Sequence, residues 1–164
     1  MGRTVVFLSF VVLLSFSSAY SADPLCGPKS LLAICRLFEI PADLEELCKL
    51  SGWDETEGTT MWGLYKAAEA KGLYPQGFRL TLEALRKVKS PAIVLVEPNH
   101  FIAIDGLTSN GVRIIFPSKP PYTIPLEEFS SIWKGYALVV AHDSTDVFAP
   151  KGEHRPKGPR IVFD

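Results

Sequence analysis

A chain of 164 residues has room for one domain with a sizeable core, and not for two ordinary ones. Its formal net charge of -1 argues against a nucleic-acid partner held by electrostatics, and its 47% hydrophobic content is ordinary for a globular protein once an apolar N-terminus is discounted. The cysteine count is 3, an odd number, so at least one thiol is left without a partner inside the chain.

Residues 1–21 read as an export signal. Arg3 supplies a positive start, Val5 to Phe16 is an apolar run interrupted only by Ser9 and Ser15, and Ala19 and Ser21 give the small-x-small pattern of a cleavage site. The run falls short of the roughly 20 apolar residues of a spanning helix. A mature start at Ala22 is therefore expected, with Tyr20 the second candidate. The localisation that follows is periplasmic or secreted, with membrane association only if the segment stays uncleaved.

The domain is expected over residues 22–142 and begins with Cys26-Gly27-Pro28, where an extended segment becomes an apolar helix. Pro28 suits the first helical position, and Gly27 permits a close backbone approach. A cysteine at a helix N-terminus meets unpaired N–H groups and the positive end of the helix dipole, which favour the nucleophilic thiolate. The plainer reading of a secreted cysteine, a buried thiol or half of a disulfide, stands beside it.

Residues 28–38 form the first helix by the spacing of Leu31, Leu32, Ile34, Cys35 and Phe38, and Ile40-Pro41 ends it. Asp43 opens a second helix over 44–50, closed by Ser51-Gly52. Cys35 and Cys48 lie on the apolar faces of these two helices. A disulfide between them and two buried free thiols fit equally, since helix faces do not fix the Cα separation a bridge needs. Residues 59–72 form a third helix with a threonine cap and a glycine stop. An extended piece follows over 73–80, and Thr81, Leu82, Leu85 and Val88 mark a fourth helix.

The period then changes. Strands are expected over 92–96, 100–106 and 111–117, the last two joined by a polar turn, then a short helical turn at 126–129 and a closing strand over 136–141. Helices followed by an antiparallel sheet make an α+β fold. Residues 143–164 read as a polar linker, or as the start of a further β module, since residues 158–164 resemble the first strand of a β-sandwich. No cofactor is implied, and no metal site, because the ligands a zinc ion would need are not clustered.

A reactive thiol needs an imidazole to take and return its proton. Of the three histidines, His154 falls in the tail and His142 follows the last strand. His100 opens a strand directly after a turn, where its ring can reach toward a helix N-terminus. Cys26 and His100 are therefore the candidate catalytic pair.

The ordered pieces Cys26-Gly27-Pro28-x-Ser30-Leu31, Gly58-Thr59-Thr60-Met61-x-Gly63-Leu64-x-x-Ala67-Ala68, Gly72, Pro91-Ala92-Ile93, Asn99-His100-Phe101, Phe129 and Gly135-Tyr136-Ala137-Leu138 resemble the bacteriocin-processing cysteine peptidases, papain-like domains that cut double-glycine leaders. The resemblance covers about residues 26–141. It implies N-terminal helices packed on a C-terminal antiparallel sheet, Cys26 as nucleophile with its backbone N–H in the oxyanion hole, His100 as general base, and a peptide or protein as substrate.

Two positions depart from the family. The oxyanion glutamine expected six residues before the cysteine is Tyr20, and the orienting aspartate expected before a proline on the strand after the histidine is Phe116, followed by Pro117. If the hairpin turns near Thr108 and Ser109, residue numbers summing to 216 or 217 lie opposite, which sets Phe116 or Pro117 across from His100. Asp105 is about 17 Å from His100 along the strand and on the other face, so Ser118 or a backbone carbonyl is left to orient the ring. The expectation is a slow or unusual peptidase, with a catalytically impaired peptide- or protein-binding module on the same fold as the alternative.

Overall fold

The computed structural model describes residues 23–146, and the elements occur in the order α1 Cys26–Leu37, α2 Leu44–Ser51, α3 Met61–Ala70, β1 Tyr74–Arg79, α4 Leu82–Leu85, β2 Ala92–Val96, β3 His100–Thr108, β4 Gly111–Ile115, β5 Tyr122–Ile124, α5 Leu126–Ile132 and β6 Trp133–Ala141. Local chemistry accounts for the helix ends. The Asp43 side chain accepts from the Glu46 N–H at the start of α2, and the Thr60 hydroxyl accepts from the Gly63 N–H at the start of α3. Gly52 terminates α2 in the left-handed region, at φ 64°.

The strands form one antiparallel sheet in the order β1-β6-β2-β3-β4-β5. β2 lies at its centre and reads Ala-Ile-Val-Leu-Val because both faces of the sheet are covered. Ile93 joins Leu31, Ile34, Cys35, Leu64 and Leu138 in the core beneath α1, α2 and α3. Ala92, Val94 and Val96 point the other way, into a second cluster with Leu85, Ile104, Val112 and the fully buried Phe129 of α5. The α+β layout and the helix-on-sheet packing are as the sequence implied. The covered second face adds a layer, made by α4, α5 and their flanks.

Three differences bear on the site. Helix α1 begins at Cys26, so Pro28 occupies the third helical position; this costs nothing, because that N–H has no partner inside the helix. The short edge strand β5 pairs with β4 through Val112 opposite Ile124, and was not anticipated. In the β3–β4 hairpin, Ala103 lies opposite Ile115 and Ile104 opposite Ile114, then the register shifts so that Leu107 faces Val112. Residue numbers therefore sum to 218 beside the site, not 216 or 217. Continued past the end of β4, that register sets Ser118 across from His100.

Among the described residues no helix is long and apolar enough to cross a membrane. The segment proposed as a signal, Tyr20 and His154 lie outside the described residues.

Candidate active site

Cys26 reaches its place because the chain ahead of α1 is pinned. The Cys26 N–H donates to the Asp23 carbonyl at 2.9 Å, the Leu25 N–H donates to Asp23 Oδ1 at 3.0 Å, and Lys29 Nζ closes on Asp23 Oδ2 at 2.6 Å. The Trp53 indole N–H holds the Pro24 carbonyl from outside at 2.8 Å. Gly27 is required by crowding: a Cβ there would lie well under 3.0 Å from the Thr59 methyl and 3.3 Å from Leu64 and Phe101 side-chain carbons. The close neighbours at Gly27 are thus side chains rather than another backbone.

Helix α1 and strand β3 are joined at Phe101. The β3–β4 ladder stops at Ala103 and Ile115, leaving the preceding stretch of β3 without a strand on that side. There the Phe101 N–H donates to Cys26 Sγ at 3.4 Å and the Phe101 carbonyl accepts from Ser30 Oγ at 3.2 Å. One turn of helix thus supplies a thiol and a hydroxyl in place of a missing strand. The sulfur is brought beside the backbone that carries His100.

Cys26, His100 and Asp23 line one open cleft of about 300 Å³, floored by Ile102, Ala103 and Ile115 and rimmed by Phe116, Ser118 and Lys119. The Arg36 guanidinium donates to the Pro117 carbonyl and ties the loop after β4 to α1. Phe116 stacks on Tyr122, with ring centroids 5.4 Å apart. Asp105 is ion-paired with Arg113, away from the cleft, so it is committed elsewhere, as its position on the strand implied.

The electrostatics correct one expectation. Burial pushes the Cys26 thiol above its ordinary value; the Phe101 N–H opposes this, Asp23 adds to it, and the N–H groups of Gly27 and Cys26 at the helix start act in the lowering direction without reversing it. Burial lowers His100, opposed by Asp23 and assisted by Lys29. Both shifts favour the uncharged forms, and the helix terminus does not by itself outweigh burial at the thiol. A second correction concerns the oxyanion hole. The Cys26 N–H assigned to it is engaged by the Asp23 carbonyl.

Cys26, Cys35 and Cys48 are all free thiols. Cys35 is fully buried and burial raises its thiol to about 11, whereas Cys48 is half-buried. His142 packs its ring against Phe38, with centroids 5.2 Å apart, and does not line the cleft.

The sequence profile of the Peptidase C39 family matches residues 20–145. The chain belongs to the Peptidase C39 family. An uncharacterized protein of Methanothermobacter thermautotrophicus is 34% identical over 129 residues, covering 79% of this chain and 87% of its own. The colicin V secretion/processing ATP-binding protein CvaB of Escherichia coli is 30% identical over 115 residues, 70% of this chain but 16% of its own length. Among solved structures, a double glycine motif protease from an AMS/PCAT transporter, in complex with the leader peptide, superposes with a TM-score of 0.65 at 28% identity, covering 73% of this chain and 86% of that one. The resemblance to bacteriocin-processing peptidases, and the fold it implied, hold for this C39 domain.

The raised thiol gives a direct expectation for chemistry at rest. Alkylation of Cys26 by iodoacetamide is expected to be slow at pH 6 and to rise with a midpoint above the ordinary cysteine value of about 8.5. The sign follows from burial: a raised value leaves less thiolate at every pH below it. Peptide mapping by mass spectrometry reads the rate, and a plateau of fast alkylation below pH 7 would show a preformed thiolate–imidazolium pair instead.

Proposed function

We propose that this C39 domain is a cysteine peptidase in which Cys26 is the nucleophile and His100 the general base. The observation that carries the reading is the Phe101 N–H held on Cys26 Sγ, which sets the sulfur beside the residue preceding Phe101 in the same cleft. Burial favours an uncharged imidazole on His100, the form that accepts a proton. Seating a peptide in the cleft excludes water, and the thiol proton passes to His100 as sulfur attacks the scissile carbonyl carbon. The tetrahedral adduct collapses with cleavage of the C–N bond, and the imidazolium returns the proton to the leaving amine. Water, deprotonated by His100, then hydrolyses the thioester and frees Cys26.

The substrate is a peptide or an extended segment of a protein. The apolar lining of Phe101, Ala103, Ile115 and Phe116 suits apolar side chains, and the related double glycine motif protease holds a leader peptide. The signal-like segment 1–21 supports a proposal that this work is done outside the cytoplasmic membrane.

The test is digestion of a proteome-derived peptide mixture by the folded domain, read by mass spectrometry at neutral pH. New termini that are absent with a Cys26→Ala variant support the reading. A folded wild-type protein that produces none rejects it and leaves a binding module.

A further inference from the structure

This inference rests on the peptidase reading of the same cleft and concerns how His100 is supported. The side chain at the family's carboxylate position, Phe116, is aromatic and stacked on Tyr122, and Asp105 is committed to Arg113. A carboxylate nevertheless lines the cleft with Cys26 and His100, and it comes from the opposite direction in the chain. Asp23 precedes α1, its Oδ1 fixed by the Leu25 N–H and its Oδ2 by Lys29 Nζ at 2.6 Å.

We propose that Asp23 is a positioning residue that supplies the negative charge His100 needs when it takes the proton from Cys26. Proton transfer creates an imidazolium in a half-buried cleft. A fixed carboxylate at the same cleft stabilises that cation without moving. The charged and titratable groups facing His100 are Asp23 from the segment before α1, Lys29 and Cys26 from α1, and Lys119 from the loop after β4. From β2 the opposing residue is the apolar Val96, and Lys134 of β6 is tied to Asn99 and Glu97. Asp23 is thus the anion of the set.

Lys29 has two effects of opposite sign. It pushes the imidazole toward its neutral form directly, and it holds Asp23 ionised, since its hydrogen bond and that of Leu25 outweigh burial and keep the carboxyl below the usual range. The Asp23 side chain is 38% exposed, so water and salt screen its charge. Its contribution is therefore far smaller than the roughly ten-thousandfold that a buried triad aspartate supplies in a serine peptidase.

The experiment measures the His100 ring by NMR across pH in the folded wild type and in Asp23→Asn, Asp23→Glu and Lys29→Met, with kcat and KM on a cleaved peptide alongside. The His100 midpoint is expected to fall in Asp23→Asn, to stay near wild type in Asp23→Glu and to rise in Lys29→Met. The expected loss in kcat for Asp23→Asn is on the order of tenfold, with KM little changed, the rate equivalent of one pH unit in the midpoint.

An unchanged His100 midpoint in folded Asp23→Asn overturns the proposal. If that variant does not fold, Asp23→Ser takes its place, and an unchanged midpoint in it overturns the proposal. The titration does not depend on turnover. A wild type that cleaves nothing would reject the peptidase reading while the midpoints still decide the role of Asp23.

Discussion

Replacing Cys26 with alanine is expected to lower peptide cleavage by at least a hundredfold while leaving the protein folded. In a serine peptidase with every part in place, removing the nucleophile costs about a millionfold, and removing the orienting aspartate alone about ten-thousandfold. A C39 domain with Phe116 where the carboxylate belongs starts from a lower wild-type rate, which leaves about a hundredfold for the nucleophile to lose, and about a thousandfold if Asp23 restores tenfold. Because the two residues act in one proton transfer, His100→Ala is expected to cost as much, and the double variant no more than either single one. The measurement is initial rate by mass spectrometry on one identified peptide. Cleavage within threefold of wild type by a folded Cys26→Ala protein would remove the thiol from the mechanism. Stability is expected to change little, since Cys26 is only half-buried and the Phe101 N–H it releases faces an open cleft.

The second large effect is on stability. Gly63→Ala is expected to destabilise the fold by about 2 kcal/mol. Gly63 sits on the first turn of α3, where a Cβ would lie well under 3.0 Å from the Ser51 carbonyl oxygen and 2.8 Å from Thr59 Oγ1. The obstacle is backbone at the end of α2, which cannot rotate aside, and overpacking of this kind costs typically 1–3 kcal/mol. Alanine gains up to about 1 kcal/mol over glycine in helix propensity, which opposes but does not outweigh a forced separation of α2 and α3. That separation also strains the Thr59 hydroxyl bond to the Ser51 carbonyl, now 3.1 Å. Urea unfolding reads the result as a lower midpoint with an unchanged slope. A midpoint equal to wild type would show that α3 slides on α2 without cost.

Gly63→Ala also reaches the cleft. Thr59 carries its methyl against the Gly27 position, so movement of Thr59 is passed to the start of α1. A modest fall in activity beyond the loss of folded protein is expected in that variant.

Much of this architecture is written locally. Asp43, Thr60 and Gly52 fix helix ends by chemistry that operates within four residues, and the central strand β2 follows from an unbroken apolar run. Strand β5 escaped because three residues between Pro121 and Pro125 carry no alternation, and only the edge of β4 makes them a strand. Strand β6 begins at Trp133, ahead of the expected 136, because Trp133 still pairs with Val96 across a register shift in which Gly135 takes φ 85°. The hairpin register differs because the turn falls at Ser109 and Asn110, one residue later than expected, so that residue numbers sum to 219 beside it; the irregularity between Ile104 and Leu107, where Gly106 takes φ 104°, brings the sum back to 218, and no residue pattern announces such a bulge.

In the site, Cys26 and His100 were legible as a helix-start thiol and a strand-start imidazole. Asp23 was not, because the family's orienting acid lies on the strand that follows the histidine, and nothing in that pattern points to the segment before α1. The signal that could have found it was the short span Asp23 to Lys29, opposite charges on either side of the thiol, six residues apart over the start of α1. The sign of the Cys26 shift was also beyond the sequence. It depends on burial of the sulfur, which is reached only when α1 docks on strand β3 from a distant part of the chain.

The bond from the Phe101 amide to the Cys26 sulfur makes that amide a witness to the thiol's chemical state. Its acceptor strengthens when the sulfur carries charge and is displaced when the sulfur is acylated, while the neighbouring Ser30 contact to the Phe101 carbonyl is untouched. Exchange of this single backbone hydrogen with solvent deuterium is therefore expected to report ionisation or acylation of the sulfur from within the sheet, without any label on an added peptide.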